Sequence, residues 1–256
     1  MSEKVLLILV DGMRPDAMLQ CKHPFLRQMM EKSTYTMHAT TVMPSVTLPC
    51  HTSLFLSVDP ERHGITSNTW TPLARPIDGL ADIVSQQEKK AAFFYNWEQL
   101  RDLAHPGSLL CSYYQHSQSF PDSDLRVTDK AIEYIKEVQP DFVFLYLGQA
   151  DECGHVHGWM RDEYMELISG ASACIEKIYN VVKDDYTIVV TADHGGHERS
   201  HGTNLPEDMT IPLLFCGKCF PQGKELPAAN IKDIAPTVAE LMDLRKPREW
   251  EGNCLL

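Results

Sequence analysis

The chain has 256 residues, of which 43% are hydrophobic and 23% charged, and this composition excludes a disordered or fibrous protein and favours one large domain. The formal net charge of -12 argues against a broad basic surface, so we expect no nucleic-acid polymer as a partner. No apolar stretch is long enough to span a membrane, and no membrane partner is expected.

The first apolar run, Val5–Val10, leads directly into an aspartate and a glycine. It is too short for the core of a signal peptide, so we predict the first strand of a cytoplasmic protein whose cysteines stay reduced. Further buried strands are predicted at Ala91–Tyr95, Phe142–Leu147, Thr187–Thr191 and Ile211–Phe215. Helices are predicted between them, at Phe25–Glu31, Asp129–Val138, Tyr164–Val182 and Ile231–Met242.

Strands that alternate with helices predict an α/β fold with a mostly parallel central sheet and helices on both faces. We expect a single domain over residues 1–256. The stretch 66–123 is less regular and holds Trp70, Trp97 and Tyr113 among polar and turn residues. This pattern favours a small, irregular, cap-like excursion over a second domain.

Three aspartates follow three of the predicted strands: Asp11, Asp151 and Asp193. Ligands of open α/β sheets bind at the carboxyl ends of the strands, so these carboxylates are expected to converge on one point. Each alone is explained equally well as a turn or capping residue. All three have a glycine nearby, and two have a histidine nearby, which favours a shared site.

The histidines suggest metal ligands. His155 lies four residues after Asp151, and the two can meet on one metal if the backbone turns, which Gly154 and Gly158 would permit. His194 follows Asp193 directly, and either His197 or His201 can add a further imidazole. Carboxylates and imidazoles suit zinc or manganese, and six such ligands are enough for two divalent ions that share a site.

A nucleophile is expected from the hydroxyl-rich segment that precedes a predicted helix start near Pro49. Thr47 lies there, close to free backbone N–H groups and the positive end of the helix dipole, which suits a phosphate. A neighbouring metal makes such a hydroxyl nucleophilic. The alternative is that Thr47 or Ser45 only caps the helix.

These motifs, in this order, resemble the alkaline phosphatase superfamily and its nucleotide pyrophosphatase/phosphodiesterase branch. The matching segments are Val10-Asp11-Gly12, Thr47-Leu48-Pro49-Cys50-His51, His63-Gly64-Ile65 with Asn68, Asp151-x-x-Gly154-His155 and Asp193-His194-Gly195. One departure is Cys50, which stands where the phosphodiesterases usually have asparagine.

The resemblance implies a role for each matching residue. Asp11, Thr47, Asp193 and His194 bind one metal, Asp151 and His155 bind the other, and Asn68 donates a hydrogen bond to a phosphoryl oxygen. His201-Gly202 is similar to the arrangement in the cofactor-independent phosphoglycerate mutases, which favours His201 over His197 as the last ligand.

The function implied is a two-metal hydrolase, with zinc expected and manganese as the alternative, that forms a phosphothreonine at Thr47 while it cleaves a small phosphoric diester or nucleotide pyrophosphate. A phosphomonoesterase or phosphonate hydrolase of the same superfamily is one alternative. A metal- or phospho-ligand-binding protein without catalysis is the other. The sequence does not specify the physiological substrate or the oligomeric state.

Overall fold

The computed structural model describes residues 2–256, and one eight-stranded sheet forms its centre. The strands are β1 (Lys4–Val10), β2 (Thr34–Thr40), β3 (Ala91–Tyr95), β4 (Cys111–Tyr114), β5 (Phe142–Leu147), β6 (Tyr186–Thr191), β7 (Thr210–Cys216) and β8 (Lys224–Glu225). Their order in the sheet is β4-β3-β5-β1-β6-β7-β2-β8. All neighbouring pairs are parallel except the two that β7 forms, with β6 and with β2.

In the described part of the chain, ten helices surround the sheet: α1 (Pro15–Gln20), α2 (Phe25–Glu31), α3 (Thr47–Leu56), α4 (Pro60–His63), α5 (Leu80–Gln86), α6 (Ser123–Val138), α7 (Gln149–His157), α8 (Asp162–Val182), α9 (Pro206–Met209) and α10 (Ile234–Leu241). Helices α1, α2, α6 and α7 pack with α8 in one layer, and α4, α5 and α10 pack with α3 in another. The predicted α/β class, with a mostly parallel sheet, is therefore confirmed. Among residues 2–256, no helix is both long and apolar enough to cross a membrane.

The four inner strands β3, β5, β1 and β6 are continuous runs of buried, mostly aliphatic and aromatic residues. A strand covered by helices on both faces has no solvent side, so its sequence shows no alternation. These runs were visible in the sequence, and the predicted strand bounds agree with the structure to within one residue at each end. The adjacency of β5, β1 and β6 matters most, because their carboxyl ends carry the acidic residues.

The expected irregular stretch, 66–123, contains α5, β3 and β4, and both strands belong to the main sheet. Two short 3₁₀ helices, Glu98–Leu103 and Ser117–Ser119, also lie there. Residues 66–79 contain no helix or strand. The structured part of this stretch brings Trp97 and Ser117 towards the carboxyl end of β5.

Candidate active site

The three aspartates follow three neighbouring parallel strands, so they meet at one edge of the sheet. Asp11 directly follows β1, Asp193 lies two residues after β6, and Asp151 lies in the first turn of α7, just after β5. The backbone N–H of Gly12 donates to Asp193 Oδ1 at 3.2 Å. Gly12 has a positive φ of 66°, and an added Cβ would lie 3.2 Å from Asp151 Oδ1. The close approach of these segments therefore requires a glycine.

A first group of ligand atoms surrounds Nε2 of His194. Its Nδ1–H donates to the carbonyl of Gly195 at 2.8 Å, so Nε2 carries the lone pair. That atom lies 3.2 Å from Thr47 Oγ1, 3.4 Å from Asp11 Oδ1 and 3.3 Å from Asp193 Oδ2. A neutral imidazole lone pair gains nothing from two carboxylate oxygens, whereas a cation between them satisfies all of these atoms.

A second group combines Asp151 with His155 and His201. The Nδ1–H groups of both histidines donate to backbone carbonyls, at 3.0 Å to Arg199 and 2.8 Å to Ser45. Their Nε2 lone pairs consequently face each other at 3.2 Å, and Asp151 oxygens lie 3.5 Å and 3.6 Å from them. Two facing lone pairs repel each other unless a cation lies between them, so this group also has the chemistry of a metal site.

The two groups are adjacent, since the rings of His194 and His201 stack with centroids 3.8 Å apart. Three buried carboxylate oxygens have no hydrogen-bond partner: Oδ1 of Asp11, Oδ1 of Asp151 and Oδ2 of Asp193. An unpartnered buried carboxylate oxygen is costly, and a bound cation removes that cost. The residues present therefore fit two divalent ions.

The pKa values of these carboxylates reflect their crowding. Burial, together with the charges of Asp151 and Asp193, raises the pKa of Asp11 well above its ordinary value. Burial raises the pKa of Asp151 to about 6, despite the opposing effect of His194 and His155. In the absence of cations, these carboxylates bind protons more readily than usual, and a bound cation displaces those protons.

Thr47 is the first residue of α3 and is buried, with its hydroxyl directed at His194. The next backbone N–H, of Leu48, donates to Asn68 Oδ1 at 2.9 Å. This contact fixes the Asn68 amide with its Nδ2 donors free for another acceptor. Thr47 and Asn68 line a cavity of about 80 Å³. Both side chains therefore lie at the start of a helix, where an anion can bind.

A family model described as type I phosphodiesterase / nucleotide pyrophosphatase matches residues 5–207. The chain belongs to this family. The matched range contains every predicted site residue, from Asp11 to His201. Family membership supports an enzyme that acts on phosphoric esters.

Solved structures share the fold of the family and its superfamily. Murine ectonucleotide pyrophosphatase/phosphodiesterase 5, an inactive form in complex with AMP, gives a TM-score of 0.82 at 16% identity, over 98% of this chain and 97% of that chain. The phosphonate monoester hydrolase from Silicibacter pomeroyi gives 0.78 at 17% identity, over 99% and 76% of the two chains. The fold is therefore that of the alkaline phosphatase superfamily.

A sequence match also links this chain to the phosphoglycerate mutases. The 2,3-bisphosphoglycerate-independent phosphoglycerate mutase of Clostridium botulinum (strain ATCC 19397 / Type A) is 34% identical over 137 residues. The match covers 51% of this chain and 26% of the mutase, so the chain spans about a quarter of the length of this curated relative.

Within the site of this phosphodiesterase-family chain, the sequence expectation of a backbone turn at Gly154 is wrong. Helix α7 continues through Gly154 to His157, and Asp151 and His155 meet because they lie one helical turn apart. Glycine is needed at 154 for packing, since an added Cβ would lie 2.8 Å from the indole of Trp159. That indole packs against His155 and His201, so it supports the second group from behind.

His197, the alternative last ligand, lies outside both groups. Its Nδ1 bonds Asp208 Oδ1 at 2.7 Å, and Asp208 is fully buried. Asp208 Oδ2 also accepts from the backbone N–H and the hydroxyl of Thr203, at 2.9 Å and 2.7 Å. The Thr203 carbonyl in turn accepts from the hydroxyl of Ser45 at 2.7 Å, two residues before Thr47. These contacts link the segment that carries His197 and His201 to the segment that carries Thr47.

Two residues to which the sequence analysis gave no role contact the ligand groups. The Tyr146 hydroxyl donates a very short hydrogen bond to Asp11 Oδ2. The His51 Nδ1–H donates to the Thr47 carbonyl at 2.8 Å, and burial lowers the pKa of His51. Tyr146 was hidden within an apolar run, and only its place near the carboxyl end of β5 could have identified it.

Proposed function

We propose that the chain is a metal-dependent phosphodiesterase in which Thr47 forms a covalent phosphothreonine. The observation that carries this proposal is the buried Thr47 hydroxyl, 3.2 Å from His194 Nε2, an atom that also lies 3.4 Å and 3.3 Å from two unpartnered carboxylate oxygens. A helix-capping threonine needs none of these neighbours. Val46, and not Thr47, is the N-cap residue of α3, so helix capping does not explain the threonine.

The ions would be held by two sets of ligands, Asp11, Thr47, Asp193 and His194 in one set and Asp151, His155 and His201 in the other. We propose zinc, with manganese as the alternative. Bound there, two divalent ions supply charge stabilisation, activation of the hydroxyl and orientation of the ester.

The protein groups then act in order. Thr47 Oγ1 gives up its proton as it forms the bond to phosphorus, and the organic group on the opposite side of phosphorus leaves with its ester oxygen and takes up a proton to become the alcohol. Asn68 Nδ2 and the Thr47 backbone N–H hold the remaining phosphoryl oxygens, where negative charge develops. Water cleaves the phosphothreonine in a second displacement and returns a proton to Oγ1, so the enzyme is regenerated.

Diesters are the favoured substrates because of the charge of the cavity. No lysine or arginine of residues 2–256 lines it. The Arg14 guanidinium does not line the cavity and donates to Asp16 and to the carbonyl of Gly196. A monoester carries one more negative charge than a diester and gains most from a cationic side chain. Phosphomonoester or phosphonate hydrolysis is the second candidate, since the ligand groups suit both reactions. The cytoplasmic location stays a prediction.

The test compares hydrolysis of bis-p-nitrophenyl phosphate and p-nitrophenyl phosphate, with added zinc or manganese and with a chelated control. We expect the diester to be cleaved faster and Thr47→Ala to abolish turnover while the zinc content changes little. Thr52→Ala is the matched control, because Thr52 lies in the same helix and its hydroxyl bonds only the Leu48 carbonyl. Full activity of Thr47→Ala would refute the covalent scheme, and metal-dependent binding without any turnover would favour a binding protein.

A further inference from the structure

Glu152 lines the same cavity as Thr47 but belongs to neither ligand group. We propose that Glu152 selects the substrate: the site takes phosphoric esters whose organic group is neutral or carries an ammonium or hydroxyl donor, and it rejects esters with a second anionic group. This inference rests on the proposed function. It names the class of ester that the site would accept.

The Glu152 carboxylate is held in a defined position. The Ser117 hydroxyl donates a very short hydrogen bond to its Oε1, and Ser117 is 3% exposed. The Ser117 backbone N–H donates to the Asn96 carbonyl at 3.0 Å, and Asn96 Oδ1 accepts from the Gly148 N–H at 2.9 Å. Ser117 is thereby fixed beside the end of β5, and Oε2 of Glu152 keeps its capacity to accept a further hydrogen bond.

The charge balance of the cavity gives this carboxylate its effect. Asp11 and Asp151 also line the cavity, but each belongs to a ligand group. Two divalent ions set against the carboxylates of Asp11, Asp151 and Asp193 leave a net positive charge, which the single negative charge of a diester neutralises. Glu152 has no such counter-charge. A second anionic group on the ester would therefore meet an uncompensated carboxylate in a small, largely enclosed space.

Trp97 lines the same cavity and adds an apolar and aromatic surface. An indole ring packs well against alkyl groups and attracts cations to its face. A carboxylate and an indole in one small cavity together suit a short organic group that ends in a hydrogen-bond donor. An arginine or lysine in place of either residue would suit a carboxylate or a second phosphate instead.

The test measures binding without turnover, by titration calorimetry on the zinc-loaded Thr47→Ala variant. The probes are three diesters of similar size: methyl 2-aminoethyl phosphate, methyl ethyl phosphate and methyl carboxymethyl phosphate. We expect the ammonium ester to bind about tenfold more tightly than methyl ethyl phosphate, and the carboxylate ester about tenfold more weakly. Adding Glu152→Gln should reduce both ratios to near one.

Two further variants make the result decisive. Glu163→Gln is the matched control, because this carboxylate is 55% exposed and lies near His157, outside the cavity. It should leave both ratios unchanged. Glu152→Asp retains the charge and should retain the order of affinities, which covers the case in which Glu152→Gln loses zinc. The proposal would be overturned if the two affinity ratios were the same with and without Glu152→Gln. It would also be overturned if the zinc-loaded Thr47→Ala protein bound the carboxylate ester more tightly than methyl ethyl phosphate. The proposed function fails on a different result, the absence of Thr47-dependent hydrolysis.

Discussion

The variant Asp208→Asn tests whether the hydrogen bonds of Asp208 hold the segment that carries His197 in place beside the segment that carries Thr47. Asp208 is fully buried and accepts three hydrogen bonds, from His197 Nδ1 and from the backbone N–H and hydroxyl of Thr203. Asparagine offers one oxygen and one NH₂ group, so it keeps all three contacts only if His197 changes tautomer and accepts at Nδ1. Loss of the charge that strengthens these hydrogen bonds costs about 1–3 kcal/mol, and the change of tautomer or a broken contact adds to it. We therefore expect the free energy of unfolding to fall by about 3 kcal/mol.

The pH dependence of this loss is a sharper test. Burial alone raises the pKa of Asp208, but the hydrogen bonds from His197 and Thr203 outweigh it and hold the pKa below its ordinary value. A carboxylate with a lowered pKa stabilises the fold above its unfolded-state pKa of about 4, and this contribution is lost as the pH falls further. The stability difference between the wild type and Asp208→Asn should consequently shrink below about pH 4.

The assay is urea unfolding of the chelated protein over a range of pH, because bound ions would add their own stabilisation. Glu207→Gln is the control, since Glu207 is exposed and adjacent to Asp208. Its effect should stay within about 0.5 kcal/mol. An unchanged stability of Asp208→Asn near neutral pH, or a loss independent of pH, would show that the three hydrogen bonds do not act as described.

Three more results follow from the structure. Gly196→Ala would place a Cβ 2.2 Å from the buried indole of Trp159, and we expect thermal unfolding to show a loss of about 3 kcal/mol or more. Tyr146→Phe removes the hydroxyl that orients Asp11, and zinc titration should show about tenfold weaker binding of one ion. Because the pKa of Asp151 is raised to about 6, titration calorimetry should show zinc affinity falling about tenfold per pH unit below that value.

Each of these has its own contrary outcome. Gly170→Ala is the control for the glycine variant, since nothing lies within 4 Å of the added Cβ and the change should stabilise α8 by about 1 kcal/mol. A Gly196→Ala protein as stable as Gly170→Ala would mean that the indole can move aside. Unchanged affinity for both ions in Tyr146→Phe, or zinc affinity that is constant between about pH 5 and 7, would contradict the two metal-site predictions.

Much of the fold was predictable because the inner strands are buried on both faces. Their apolar runs, such as Val5–Val10, need no tertiary information to be recognised. Strands β2, β4 and β8 were not predicted. Strand β2 is rich in threonine, β4 alternates exposed and partly buried residues, and β8 has two residues. These strands exist because neighbouring strands pair with them, and this pairing is not visible locally.

Helix α6 shows a similar limit. It begins at Ser123 rather than at the predicted Asp129. The prediction missed this start because Ser123 and Asp124 are polar although they are buried. Asp124 bonds the Asn96 amide at 2.7 Å, a contact between segments 28 residues apart. A pattern of apolar residues cannot show such a contact. The predicted helix therefore started only where the apolar period became regular.

The residues of the candidate site were predictable where a polar residue closely follows a buried strand. Asp11, Asp151 and Asp193 stood out because they follow apolar runs, and the structure brings them together. The contribution of Glu152 did not stand out, because its meaning depends on Ser117, which comes from a 3₁₀ helix 35 residues earlier. Sequence shows the residues at the ends of elements, but not which distant segments complete the cavity.

The most direct test of the central claim is the stereochemical course at phosphorus. A diester made chiral at phosphorus with sulfur is hydrolysed in heavy-oxygen water, and the configuration of the product is read by phosphorus NMR. Two displacements, the first by Thr47 and the second by water, predict net retention of configuration. Net inversion would mean that water attacks the ester directly, and it would contradict a phosphothreonine at Thr47.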